Sequence, residues 1–168
     1  MSFFKDLFCG VRNMGDEGGT AFFAPATGEV SAISSCSDPV FAGGTMGQGF
    51  VLNPSSGVVA SPIDGTVEMV FDTLHAFGLR SPDGCEVLVH VGIDTVELNG
   101  KPFRKCASKG DRVRHGDRIV EVDLAAVAAA GLSTEIVVVL PDTDDRLFSL
   151  DITGRVRRGA RVGILRCE

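Results

Sequence analysis

The chain has 168 residues, 44% of them hydrophobic and 23% charged, enough to bury the core of one ordinary domain and too apolar for a disordered chain. Its net charge of −6 and lack of a basic cluster argue against a nucleic-acid partner. No apolar run approaches the ~20 residues of a spanning helix, and three His limit any His-based site.

In chain order, residues 1–11 place Phe3, Phe4, Leu7 and Phe8 on one helical face with Lys5 and Asp6 opposite. The stretch carries no signal-peptide cleavage pattern. Gly15–Gly19 then reads as a flexible linker, so residues 1–19 form an N-terminal segment and 20–168 the domain. The apolar face fits a peripheral membrane contact, packing on the chain's own domain, or a free tail. Charge is uneven: residues 1–100 hold twelve acids against three bases (net −9), residues 101–168 ten against thirteen (net +3).

From Thr20 the pattern is short strands and turns, consistent with 21 Gly and 7 Pro. Strands are expected at Glu29–Ile33, Val58–Ala60, Thr66–Phe71, His75–Arg80, Cys85–His90, Arg118–Val122, Ile136–Leu140 and Arg161–Leu165. One short helix is expected at Leu124–Ala130, capped by Asp123 and ended by Gly131. Pro25-x-x-Gly28-x-Val30 recurs as Pro62-x-x-Gly65-x-Val67, and Val113-Arg-x-Gly116-x-Arg118 as Val156-Arg-x-Gly159-x-Arg161. The pair of pairs predicts an all-β antiparallel sandwich, a barrel-sandwich hybrid, built from a duplicated motif. Five scattered Cys without a CxxC pair fit reduced thiols in a cytoplasmic protein.

With Pro82-Asp83 at the centre of the turn before Gly84, hairpin partners sum to 165, which sets His75 opposite His90. A bulge at Gly84 would shift that register by one. Spacing alone leaves three readings: two unrelated strand histidines, a nucleophile with a supporting imidazole, or half of a zinc site shared with a partner.

The run Gly84-x-x-Val87-Leu88-Val89-His90-Val91-Gly92-Ile93-Asp94-Thr95-Val96 resembles the active-site signature of the glucose-type IIA (EIIA-Glc) family of the bacterial phosphoenolpyruvate-dependent sugar phosphotransferase system. Thr73-x-His75-Ala76-Phe77, Asp38-Pro39-Val40-Phe41-Ala42 and Ala60-Ser61-Pro62-x-Asp64-Gly65 fit the same family in order. The resemblance implies a phosphoryl carrier in sugar uptake. His90 would accept phosphate at Nε2 from the histidine phosphocarrier protein HPr and pass it to a cysteine of a sugar-specific IIB domain. His75 would support the phosphoryl oxygens and Thr73 orient His75, while the Gly92 carbonyl would hold His90 Nδ1. Val40, Phe41, Phe71, Leu88 and Val96 would form a docking collar, some of them core, with Asp38 and Asp94 at the rim. No cofactor would be required; a zinc on His75 and His90 would need a partner's ligands. Regulatory partners that depend on phosphorylation are the alternative reading.

Rival classes fit less well. A lipoyl- or biotinyl-type carrier needs a hairpin-tip lysine, and Lys5, Lys101, Lys105 and Lys109 lack that setting. A lysostaphin-type zinc peptidase needs His-x-His, which is absent. His115 sits in a turn and reads as solvated surface.

Overall fold

The computed structural model describes residues 18–167. The segment over residues 1–11 and most of the adjoining linker lie outside them. Among the described residues, no helix is long and apolar enough to cross a membrane.

The strands are β1 (Gly19–Phe23), β2 (Gly28–Ala32), β3 (Gln48–Pro54), β4 (Val58–Ala60), β5 (Gly65–Val70), β6 (Ala76–Arg80), β7 (Glu86–Val91), β8 (Phe103–Lys105), β9 (Arg112–Val113), β10 (Arg118–Val122), β11 (Ile136–Leu140), β12 (Arg146–Leu150), β13 (Gly154–Val156) and β14 (Arg161–Cys167). Two short helices interrupt them: α1 (Pro39–Ala42), which the sequence reading missed, and α2 (Leu124–Ala129), capped by Asp123 as expected. All pairings are antiparallel. An eight-stranded sheet runs β13-β2-β3-β11-β7-β6-β5-β9, beside three-stranded sheets β1-β14-β12 and β4-β10-β8.

The duplication is visible in the pairing. β13 meets β2 with Val156 opposite Gly28, and β9 meets β5 with Val113 opposite Gly65. The Gly159 amide donates to the Ala24 carbonyl, and the Gly116 amide to the Ser61 carbonyl, each just before the repeated proline. The two halves thus close both edges of the large sheet in the same way.

One face of that sheet supplies the main core, with Phe50, Leu52, Phe77, Leu79, Val87, Val89, Ile136 and Val138 fully or nearly fully buried. The alternate residues point to the other face, where Val51, Val137 and Val139 join Cys36, Phe41 and Ile93 in a second, smaller cluster. His90 lies on this second face, opposite Ala76 on one side and Val137 on the other.

That register corrects the expected hairpin by one residue. The Gly84 amide donates to Ser81, and Gly84 then takes φ +87°, a conformation that a glycine adopts without Cβ cost. The loop is Pro82-Asp83-Gly84 rather than Pro82-Asp83, so partners sum to 166. Ala76 faces His90, and His75 lies opposite Val91, whose amide donates to the His75 carbonyl at 2.7 Å.

Candidate functional site

His75 is not in a strand. It closes the loop between β5 and β6, where the Leu74 amide donates to the Phe71 carbonyl and Leu74 sits at φ 57°. A left-handed leucine costs about 1–2 kcal/mol. The irregular backbone frees His75 from strand alternation, and Ala76 opposite His90 presents only a methyl group. The rings therefore meet despite the shifted register, with centroids 5.1 Å apart and planes at 78°.

Each ring is held through Nδ1. His90 Nδ1 lies 2.7 Å from the Gly92 carbonyl, and His75 Nδ1 lies 2.6 Å from Thr73 Oγ1. A carbonyl can only accept, so His90 Nδ1 carries the proton in that bond and neutral Nε2 presents a lone pair. The Thr73 hydroxyl can accept or donate; when it donates, the proton of neutral His75 is on Nε2. No hydrogen bond among the described residues occupies either Nε2.

Gly92 makes the His90 contact feasible. At φ +77° it turns its carbonyl back to the ring, and a Cβ at this position would fall 2.3 Å from Thr95 Cγ2. The same turn sets Asp94 at φ 59°, and the Thr95 hydroxyl closes it by donating to Val91.

Both imidazoles are held below the ordinary histidine value. For His90 the main cause is burial, opposed by the Gly92 hydrogen bond and the charges of Asp38 and Asp94. For His75 burial again comes first, then repulsion from His90. Both rings thus favour the neutral form near pH 7.

The collar residues divide between surface and core. Val40, Phe71 and Val96 are exposed, at 51%, 37% and 48%. Phe41 is buried at 7%, packing against His90 at a ring distance of 5.2 Å, while Phe71 packs against His75 at the same distance. Leu88 is half-buried against the second cluster. Asp38 caps α1 by accepting from Val40 N at 2.8 Å, which fixes Phe41 over His90.

Met69 escaped the sequence reading. It pairs with Gly78, which pairs with Leu88, on the His90 face of the sheet, and it is 47% exposed. A register irregularity between Val67 and Met69 flips the alternation, so the parity of buried Val67 misassigns it.

Among the described residues, no three His, Cys, Asp or Glu side chains are grouped to hold a metal ion. His115 is exposed but not simply solvated: it stacks on Phe23 at 3.7 Å, and its Nδ1 lies 2.8 Å from Asp64.

Residues 20–146 match the family described as phosphoenolpyruvate-dependent sugar phosphotransferase system, EIIA 1. The glucose-specific EIIA component of Staphylococcus epidermidis is 37% identical over 161 residues, 95% of this chain and 96% of that one. The glucose-specific EIICBA component of Streptococcus pneumoniae is 47% identical over 147 residues, 87% of this chain, which spans only 20% of that protein. Glucose permease IIA from Mycoplasma capricolum has the same fold, with a TM-score of 0.80 at 32% identity over 88% of this chain and 96% of that one.

Proposed function

This chain belongs to the EIIA 1 family of the phosphoenolpyruvate-dependent sugar phosphotransferase system, and we propose that it is a cytoplasmic phosphoryl carrier in sugar uptake, with His90 as the phosphoacceptor. The observation that carries this reading is the pair of imidazoles 5.1 Å apart, one of them tied by Nδ1 to a carbonyl.

The neutral Nε2 of His90 attacks the phosphorus of phospho-HPr. A new N–P bond forms as the bond to the donor histidine breaks, and the donor ring leaves with the electron pair. His90 keeps its Nδ1 proton on the Gly92 carbonyl throughout. His75, with Thr73 donating to its Nδ1, offers an Nε2–H to the phosphoryl oxygens as charge builds there. In the next transfer a thiolate of a IIB domain takes the phosphoryl group, forming an S–P bond and returning the electron pair to His90. The streptococcal relative, whose name joins A with B and C parts, supports a IIB partner.

Val40, Phe71, Val96 and Met69 would make the apolar contact that excludes water from the phosphohistidine, which otherwise hydrolyses. This transfer uses neither metal nor nucleotide. Zinc on His75 and His90 would find half of a tetrahedral set and take the rest from a docking partner. Adding two negative charges at His90 alters this same face, so regulatory partners would sort by phosphorylation state.

Incubation with phosphoenolpyruvate, enzyme I and HPr, read by intact mass, tests the proposal. The wild type should gain one phosphoryl group and His90→Ala none. His75→Ala, which removes the N–H, should gain it and pass it on to IIB roughly 10²- to 10³-fold slower, the scale of one lost oxyanion donor. A wild type that gains no mass overturns the carrier reading.

A further inference from the structure

One buried acid is not used by the transfer chemistry. Glu135, immediately before β11, is only 8% exposed, and no Lys or Arg pairs with it among the described residues. Its carboxylate accepts the Ser37 amide at 3.3 and 3.2 Å and the Ser133 hydroxyl at 3.2 Å. It also takes the Ser37 hydroxyl in a shorter contact, and the Cys36 thiol lies 3.9 Å away. A buried carboxylate without a cation is costly unless donors surround it. Besides the Ser133 hydroxyl, two residues away, the donors come from the segment of Ser37, 98 residues distant in sequence.

That segment leads into the site. Ser37 precedes Asp38, which caps α1 and so sets Phe41 against His90. The other side of the anchor also leads there. The Glu135 carbonyl accepts the Gly92 amide at 2.8 Å and the Ser133 carbonyl accepts the Ile93 amide at 3.0 Å. Gly92 is the residue whose own carbonyl holds His90.

We propose that Glu135 is a positioning residue that ties the segment from Cys36 to Phe41 to the same anchor that holds Gly92. It keeps the ring and the acid beside His90 aligned with the carbonyl that sets the His90 tautomer. The Glu135 side chain governs the docking segment, and its main chain governs Gly92, so side-chain replacement separates the two. The inference rests on the phosphoryl-carrier reading for its kinetic part only.

The test uses the full chain as wild type, Glu135→Ala, Glu135→Gln, Ser37→Ala and the double variant Ser37→Ala/Glu135→Ala. Acceptance rates are titrated in phospho-HPr, and amide hydrogen exchange is followed at Ser37 and Val40. Glu135→Ala should raise KM roughly three- to tenfold, as expected for a lost charged hydrogen-bond anchor. Its kcat should stay within about twofold of wild type and still give one phosphoryl group per chain, because the Gly92 contacts are main-chain. Glu135→Gln, whose carbonyl still accepts the Ser37 amide, should recover most of the affinity. The Ser37 and Glu135 effects should be non-additive.

Exchange at Ser37 and Val40 should quicken in Glu135→Ala whether or not HPr is the donor. Unchanged exchange, additive effects, or a loss of stability with KM unmoved would each overturn the assignment. A wild type that takes no phosphoryl group would instead sink the carrier reading, and the exchange data would still decide the role of Glu135. If Glu135→Ala fails to fold, Glu135→Gln and Ser37→Ala carry the same comparison.

Discussion

For His90 the decisive property is which nitrogen holds the proton. The Gly92 carbonyl fixes the proton on Nδ1, and burial makes protonation of Nε2 unfavourable. Three influences oppose the burial: the hydrogen bond to Gly92 and the charges of Asp38 and Asp94. His75, the other titratable neighbour, is itself held below its ordinary value, partly by His90, so both rings being charged is the disfavoured state. A titration of the ring nitrogens by NMR should therefore put the His90 midpoint below the ordinary 6.5. The nucleophile stays neutral as pH falls through 6.5 and is lost only at lower pH. Asp38→Asn keeps the helix cap, because Asn caps as well as Asp, yet removes one charge that favours the imidazolium. Its midpoint should move lower still. A midpoint above 6.5 in the wild type, or an upward move in Asp38→Asn, would contradict this electrostatic account.

At the scale of the element, the site is a set of backbone exceptions. His75 follows a left-handed Leu74 and His90 precedes a left-handed Gly92, so both rings stand where regular pairing ends. Gly92→Ala tests this. The new Cβ would be strained at φ +77° and would fall 2.3 Å from Thr95 Cγ2 and 3.0 Å from the Ser133 carbonyl. The expected outcome is a loss of about 1–3 kcal/mol in denaturant unfolding, with a drop in acceptance rate as the carbonyl moves off Nδ1. A variant of full stability and activity would remove Gly92 from the account. The same exceptions explain what the sequence revealed. β4, β10 and β11 appear with the expected bounds, since each is an apolar run between clear turns. β3 was hidden because Asn53-Pro54 carries turn chemistry and Gly49 breaks the apolar run before it. In fact Gly49 lies inside the strand, where a Cβ would come 1.9 Å from the Val138 carbonyl, a close strand approach and not a break. The histidine pair was legible from local motif, but its register depended on one bulge at Gly84. Glu135 was not legible at all, because its Ser37 and Cys36 partners are distant in sequence and no spacing rule connects them.

Charge is divided along the chain, with the acidic excess in residues 1–100 and the basic excess in residues 101–168. The acids near His90 are Asp38 and Asp94, both in the half of the chain with net charge −9. Arg155, Arg157 and Arg158 lie in and just after β13, an edge strand of the large sheet, whereas His90 lies on central β7. The two acids beside His90 would attract a donor with a basic rim. Raising salt from about 0.1 M to about 1 M shortens the screening length from about 10 Å to about 3 Å. Attraction between facing rims is then largely lost, while the contacts made inside the closed interface are not. The acceptance reaction should show a fall of roughly fivefold or more in kcat/KM, carried by KM, with kcat held. Asp38→Asn combined with Asp94→Asn should flatten that dependence and reproduce at low salt the wild-type KM at high salt. A kcat/KM insensitive to salt would mean that docking rests on the apolar contacts of Val40, Phe71, Val96 and Met69 alone, and the acidic rim would then have no part in choosing the donor.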